Sequence, residues 1–530
     1  MLYFIPAWYQ ENKWIENEQS WRVRRMRTEF DDTVKQIQLF HRSGVCPYQI
    51  MLLSFTPNFR HFLHRQGVYH APYWSCFDAI QCIRRKKAMV FSFHNLSWPK
   101  DIEFVYSAFV MIAMLKGKKY AQVEFGEDGN PIRIDIYKDG RINRCNIYDD
   151  RGFVSSSILY KEEKAVYQEY YTENGIWKLR CYEEDGHIEI NPRHPEYLLI
   201  YQGAEQEEIF SRLEYDNIDQ VIQEVCIAYL KLTSEEDVFC VAMHNRHAAL
   251  LEQVLEKRKM ILSFFADRYS VCKHPEMISM IEGAGYVVTD SRESLLRIQR
   301  ESAGLIKRII DISPYDSRMD IGISQQLNVQ KILVPIDGVK DEVFMELIQH
   351  LGNYLSVHKE VRIHLFTREA AWNKRQLLLD KTRRCLKAAG LEEEWALEKE
   401  EGVAENELDA EGSVPIKFYV EQCVDELTVT QCMREQRLIV DLREKSEIYL
   451  QITAISIGIP QIVSRRTEFV EPGKNGIVLK KIKYLHNALD YYLVGLANWN
   501  NAKISAYELG KKYRTDKLIE RWKEVIDFVG

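Results

Sequence analysis

No stretch of this 530-residue chain is apolar for long enough to cross a membrane as a helix. The longest such run, Phe104 to Leu115, falls short of the ~20 residues a spanning helix needs. The opening MLYFIPAWY lacks both a basic segment and a cleavage site, so no signal peptide is expected. The eleven cysteines include no C-x-x-C, and the near pairs Cys76/Cys82 and Cys423/Cys432 lack metal-ligand spacing. They read as reduced, mostly buried thiols, no metal is expected, and the chain is placed in the cytoplasm. A basic excess is missing too: 71 Lys and Arg against 78 Asp and Glu leave a net charge of −7, with no overall pull toward nucleic acid.

What is present is alternation. LYFIPAW, FDDTVKQIQLFHRSG, YQIMLLSF and KAMVFSF are short apolar runs separated by amphipathic segments, the pattern of buried parallel strands with crossover helices. From about Tyr120 the texture changes: glycines 129, 140, 152, 175 and 186 close acid-rich turns at intervals of 11, 12, 23 and 11, so one turn near Lys164 lacks its glycine. Asp-Gly and Asn-Gly turns between runs rich in Tyr, Ile and Val predict an antiparallel β-meander, one face wet and one covered; it is expected to be a binding wall for a partner, detachable without unfolding the rest. After Pro195 the parallel pattern resumes at DVFCVAM, KMILSFF and AGYVVTD, and a second α/β set runs from KILVPID through VRIHLFT, IKFYVE, RLIVDL and PQIV. The predicted fold is α/β: two Rossmann-like domains facing one cleft, with the meander inserted in the first. The expected segments are 1–118 and 194–315 for domain I, 119–193 for the meander, 316–509 for domain II and 510–530 for a C-terminal helix returning to domain I. Ten acids with one lysine between Glu392 and Glu411 read as a solvated helix end and loop.

Thr453 to Leu479, TAISIGIPQIVSRRTEFVEPGKNGIVL, has the rhythm of a nucleotide-sugar segment: an Ala-containing helix, G-x-P, an apolar strand, then x-G-x-N-G. Together with YFIPAWY, EFDDTVKQIQLF, YWSCFDAIQ, FSFHNLSWP, ISPYDSRMDIGIS and IYLQITAISIGIPQIV, it resembles the first member of the Asp trio of accessory Sec system proteins of Gram-positive bacteria. That group is a GT-B-like relative of the glycosyltransferases of serine-rich repeat adhesins. The resemblance implies a noncatalytic component working with two partners, one acyltransferase-like and one carbohydrate-binding-like. With them it would serve glycan modification and export of a serine-rich repeat adhesin through the accessory SecA ATPase, and the meander would be a binding wall for a partner or for that adhesin. An active GT-B glycosyltransferase acting on Ser/Thr or glycan of the adhesin is the competing reading, and a stand-alone glycopeptide-binding protein a third.

The chemistry of a donor site is depleted. Aligning Gly458 with the family glycine puts Lys445 and Thr453 where a retaining GT-B enzyme carries its two glutamates. The following loop reads Ser464-Arg465-Arg466 instead of two glycines, whose role is to let backbone amides approach the donor. Ile336 and Asp337 stand about where a phosphate-clamping arginine belongs, and an acid repels a diphosphate. No cofactor is expected. Arg465, Arg466 and Lys445 could instead make a different anion site, or be solvated loop cations. Gly458, Pro460, Gly473 and Gly476 read as helix termination and turns.

Other residues compete for the cleft. His94 follows an apolar run and could sit at the rim as a base, or simply be satisfied by backbone. His61/His64 and His244/His247 have helical-face spacings without a third ligand. Trp8, Tyr9 and Trp14 precede Trp21, Arg22, Arg24, Arg25 and Arg27; aromatic planes and guanidinium groups in a cleft-edge loop suit sugars or an extended peptide, and the arginines also suit peripheral contact with anionic lipid.

Overall fold

The computed structural model describes residues 1–10, 13–16, 18, 20–21, 28–318, 320, 322–397 and 416–530. Arg22, Arg24, Arg25, Arg27 and most of the acidic run after Glu392 lie outside the described residues.

The first parallel sheet runs, edge to edge, through Tyr73–Ser75, Tyr48–Leu52, Leu2–Ile5, Val238–Ala242, Lys259–Phe264, Tyr286–Thr289 and Ile309–Asp311. Leu2–Ile5 is central, with Leu2 opposite Tyr48 on one side and Val238 on the other. All four of its residues are buried, as expected of a strand covered on both faces. The second parallel sheet orders Phe418–Gln422, Val361–Thr367, Gln330–Pro335, Gln436–Asp441, Gln461–Val463 and Gly476–Val478. In chain order this is 3-2-1-4-5-6, the doubly wound arrangement. Both sheets therefore reverse direction beside their first strand, and that is where a ligand crevice forms.

KAMVFSF is not a strand of the first sheet. Tyr73–Ser75 takes the third position, and residues 89–98 form a strap over the antiparallel sheet. Met89 N–H donates to Asp150 O, Phe91 stacks on Tyr148, and Phe93 joins the cluster of Met111, Val123 and Ile134. The antiparallel sheet itself begins at Ile102–Tyr106, earlier than the glycine turns indicate, and continues through Ile188–Ile190 to Glu214–Tyr215 in ten strands. The apolar run from Phe104 supplies its first hairpin. In the turn without glycine, Glu162 and Glu163 adopt φ of 50° and 66°, the left-handed values a two-residue hairpin turn demands.

Neither face of this sheet is wholly wet. The strap covers part of one, while Cys145, Ile147, Tyr170, Leu179, Ile188 and Ile190 share one core with Tyr3, Ile5 and Phe77 of the first domain. The buried guanidinium of Arg151 adds an ionic seam, pairing with Asp149 at 2.6 Å and with Asp78 at 2.8 Å. The sheet is a wall of the core, and that overturns its reading as a detachable module.

The tail splits between the two domains. Helix Leu496–Gly510 packs on the second sheet's core through Trp499, Ala502 and Leu509; a turn at Lys511–Tyr513 follows; Thr515–Val529 lies on the first domain through Leu518, Trp522 and Val525. Phe30 makes the opposite crossing: it precedes helix Asp32–Ser43 yet is buried in the second domain's core against Tyr449.

Candidate functional site

The switch point of the second sheet lies between Gln330–Pro335 and Gln436–Asp441, and the loops leaving those strands carry Asp337 and Arg443. Both line a cavity of about 500 Å³ whose other wall comes from the first domain through Phe265 to Asp267, Asp290, Ser291, Glu293, Ser294 and Arg297. This is the position at which a doubly wound domain holds a nucleotide.

Its electrostatics run against that ligand. Six carboxylates (Asp267, Asp290, Glu293, Asp337, Glu447, Glu468) and four cations (Arg297, Arg368, Arg443, Lys445) line it, and each cation is already paired. Lys445 Nζ meets Asp267 at 2.7 Å across the cleft, and Arg297 meets the same carboxylate at 2.5 Å. Arg443 pairs with Asp441 at 2.8 Å, and Arg368 pairs with Glu447 while lying 3.9 Å over the Phe30 ring. Asp337 accepts from the Thr367 hydroxyl and from the Arg368 amide, each at 2.6 Å. The hydrogen bond from Lys445 holds the Asp267 carboxyl below its usual range; burial raises that of Glu468.

Helix Ile448–Ile457 divides this cavity from a second one of about 320 Å³, lined by Lys35, Arg318, Glu426 and Thr453 among others. Lys445 and Thr453 therefore face different spaces, and the Thr453 hydroxyl donates to Tyr449 O at 2.7 Å within its own helix. Gly458 ends that helix at φ 82°, where a Cβ would lie 2.8 Å from Tyr507. Its role is to terminate and pack the helix. Arg465 and Arg466 are exposed on the loop after Gln461–Val463 and do not line the cavity.

Three other expectations are corrected. Trp8 and Trp14 are each 4% exposed and cannot stack on a sugar. Trp8 Nε1–H donates to Asp31 and its ring packs on Phe59 and Phe62; Trp14 Nε1–H donates to Asp219 under the Arg246 guanidinium. His94 sits with Phe93, Phe104 and Tyr106 on the antiparallel sheet, not at the cleft rim, because the strap carrying it never enters the parallel sheet. The residues that define the cleft, Asp267, Arg368, Glu447 and Glu468, are not singled out by the sequence. Their one local signal is a place in a loop that follows a buried strand or precedes a helix, which many residues share.

Two Rossmann-like domains with facing switch points and a cleft between them make this a protein of the GT-B fold. The pneumococcal O-GlcNAc transferase GtfA, solved with UDP and GlcNAc, matches at TM-score 0.70 with 11% identity over 100% of this chain and 98% of that one, a likeness of fold alone. The chain belongs to the family of the first Asp protein of the accessory Sec system, accessory secretory protein 1, whose family model matches residues 1–528. It is 32% identical to the family member of Streptococcus gordonii over 99% of this chain and all of that one. It also matches, at TM-score 0.80 and 28% identity over 100% of this chain and 99% of the other, a chain of the crystal structure of accessory secretory proteins 1, 2 and 3 from Streptococcus pneumoniae. No described helix is long and apolar enough to cross a membrane.

Proposed function

We propose that this member of the accessory secretory protein 1 family is a noncatalytic GT-B-like component of the accessory Sec system. It would act in a cytoplasmic complex with two partners, one acyltransferase-like and one carbohydrate-binding-like, in glycan modification and export of a serine-rich repeat adhesin through the accessory SecA ATPase. The single observation that carries the noncatalytic part is the charge of the cleft: six carboxylates to four cations, every cation paired. A transferase must hold a diphosphate in the ground state and stabilise more charge as it leaves. Here a diphosphate would have to compete with a carboxylate already on each cation and then sit beside Asp337, Asp290 and Glu468. The assembly with two partners draws its support from the related complex of accessory secretory proteins 1, 2 and 3.

The test is calorimetry of the purified chain with common UDP-sugars, alongside an assay for UDP release. Neither binding at micromolar concentration nor UDP above background is expected, and Thr453→Glu should change neither outcome, since that position faces the other cavity. Micromolar affinity or turnover would favour the active-transferase reading.

A further inference from the structure

Strand Phe418–Gln422 leads through a short turn into helix Glu426–Arg434, which brings Cys432 back over Cys423. With Glu421 at the strand end, the two sulfurs and a carboxylate oxygen lie within 4.8 Å of one another. On the adjacent strand, His364 Nδ1–H donates to Glu421 Oε1 at 2.7 Å; its side chain is 2% exposed and its Nε2 has no partner. We propose that Cys423, Cys432 and Glu421 form a site for one thiophilic divalent cation, zinc by preference, with His364 as the positioning residue that holds the carboxylate.

The donor set suits zinc, which takes thiolate and carboxylate ligands together and leaves a fourth place for water in open sites. Zn–S and Zn–O bonds of about 2.3 and 2.1 Å set tetrahedral ligands roughly 3.5–3.8 Å apart, so the present arrangement need contract by no more than about 1 Å. Cys432 and Glu421 are partly exposed, which gives the ion an entry path and the fourth position its water. Binding releases one proton from each thiol, leaving two thiolates and one carboxylate around a dication. Lys331, paired with Glu435 at 2.7 Å, and Arg375, whose guanidinium donates to Val420 O at 3.2 Å, bring positive charge beside the site. The hydrogen bond from His364 to a ligating carboxylate is the outer-shell contact that metal sites use to fix ligand orientation.

The other convergent cluster, Glu18, His61 and Asp128, contrasts with this one. There Arg65 bridges both carboxylates at 2.9 and 2.6 Å, so the place of a cation is filled by a guanidinium. The Cys423/Cys432 spacing, too long for a zinc knuckle, is closed by the strand-turn-helix path. The site also has a mechanical neighbour. Glu426, at the start of the same helix, takes the Lys35 ammonium at 2.5 Å, and its N–H donates to Glu29 at 2.5 Å; both partners belong to the first domain. A metal that clamps Cys432 to Cys423 steadies the helix through which the two domains meet.

The experiment titrates the full-length protein, reduced and freed of metal, with cobalt(II) and then zinc(II). One equivalent should bind, with a thiolate-to-cobalt charge-transfer band that zinc abolishes. Zinc should also protect Cys423 and Cys432 from alkylation, read by peptide mass spectrometry on the unmutated protein, so that the result does not depend on any variant folding. C423S and C432S should lose the band while their metal-free melting temperatures match the parent's, and H364Q should keep the stoichiometry with affinity weakened about 10- to 100-fold. No stoichiometric binding, binding undiminished in C423S/C432S, or protection that maps to the exposed Cys272 instead would overturn the proposal.

Discussion

At His247 the surroundings dictate a neutral ring: Nε2–H donates to the Ala242 carbonyl and Nδ1 accepts from the Tyr9 hydroxyl, both at 2.7 Å, in a side chain with no exposed surface. Burial, then the neighbouring His244, pushes its pKa from 6.5 down to about 3. Between those values the unfolded chain binds a proton that the folded chain refuses, so stability rises with pH across the window. It is complete above the unfolded value and drains away as pH falls from 6.5 toward 3. At pH 5 the loss from this one group is about 2 kcal/mol. Denaturant unfolding at pH 7 and pH 5 should show it, and His247→Gln should narrow the difference by a similar amount. His244, lowered to about 4 by burial, works in the same direction and keeps the variant from losing all pH dependence. None of this was legible in MHNRH, whose helical-face spacing came without a third ligand: the decisive partner, Tyr9, lies 238 residues away in sequence.

Among the elements, helix Thr515–Val529 tests whether a terminal segment is structural. Trp522 is 2% exposed and meets Phe40 edge-on at 5.8 Å, beside Leu518 and Val525. Trp522→Ala should cost about 3 to 5 kcal/mol, visible as a lowered melting temperature; an unchanged melt would mean that the helix does not dock. The apolar spacing of KLIERWKEVIDFV made this helix readable, though its Phe528 is 55% exposed. Strands were legible in KILVPID, where the apolar run is continuous, and in VRIHLFT, where apolar residues alternate with Arg362 and His364. KAMVFSF failed because period and composition report burial, not what does the burying. Its Phe91 and Phe93 are covered by the antiparallel sheet, while Val90, just before them, stands 90% exposed.

Over the whole molecule, a set of crossings ties the domains: Phe30 plugged into the second core, Tyr315 O–H donating to Phe30 O at 2.6 Å, Lys35 on Glu426, and Lys445 on Asp267. Phe30→Ala removes the plug and the ring beneath Arg368. It should enlarge the radius of gyration by small-angle scattering and split a single thermal transition into two; one sharp transition at unchanged size would place the coupling elsewhere. The two α/β domains were readable in the sequence because short apolar runs separated by amphipathic segments imply parallel strands with crossover helices, and the GT-B likeness was readable in the family motifs. The paired cleft was readable only as missing ligands, since Lys445 and Asp267 are 178 positions apart and no local pattern joins them. The central placement of Leu2–Ile5 has a consequence for synthesis. Its parallel neighbour Val238–Ala242 is 236 residues downstream, so at roughly 5–20 residues per second the ribosome needs on the order of ten to fifty seconds to deliver it. The helix that covers this domain is translated later still, after both sheets. Throughout that interval the nascent chain presents an apolar strand with one bare edge, the surface that chaperones bind and aggregates recruit.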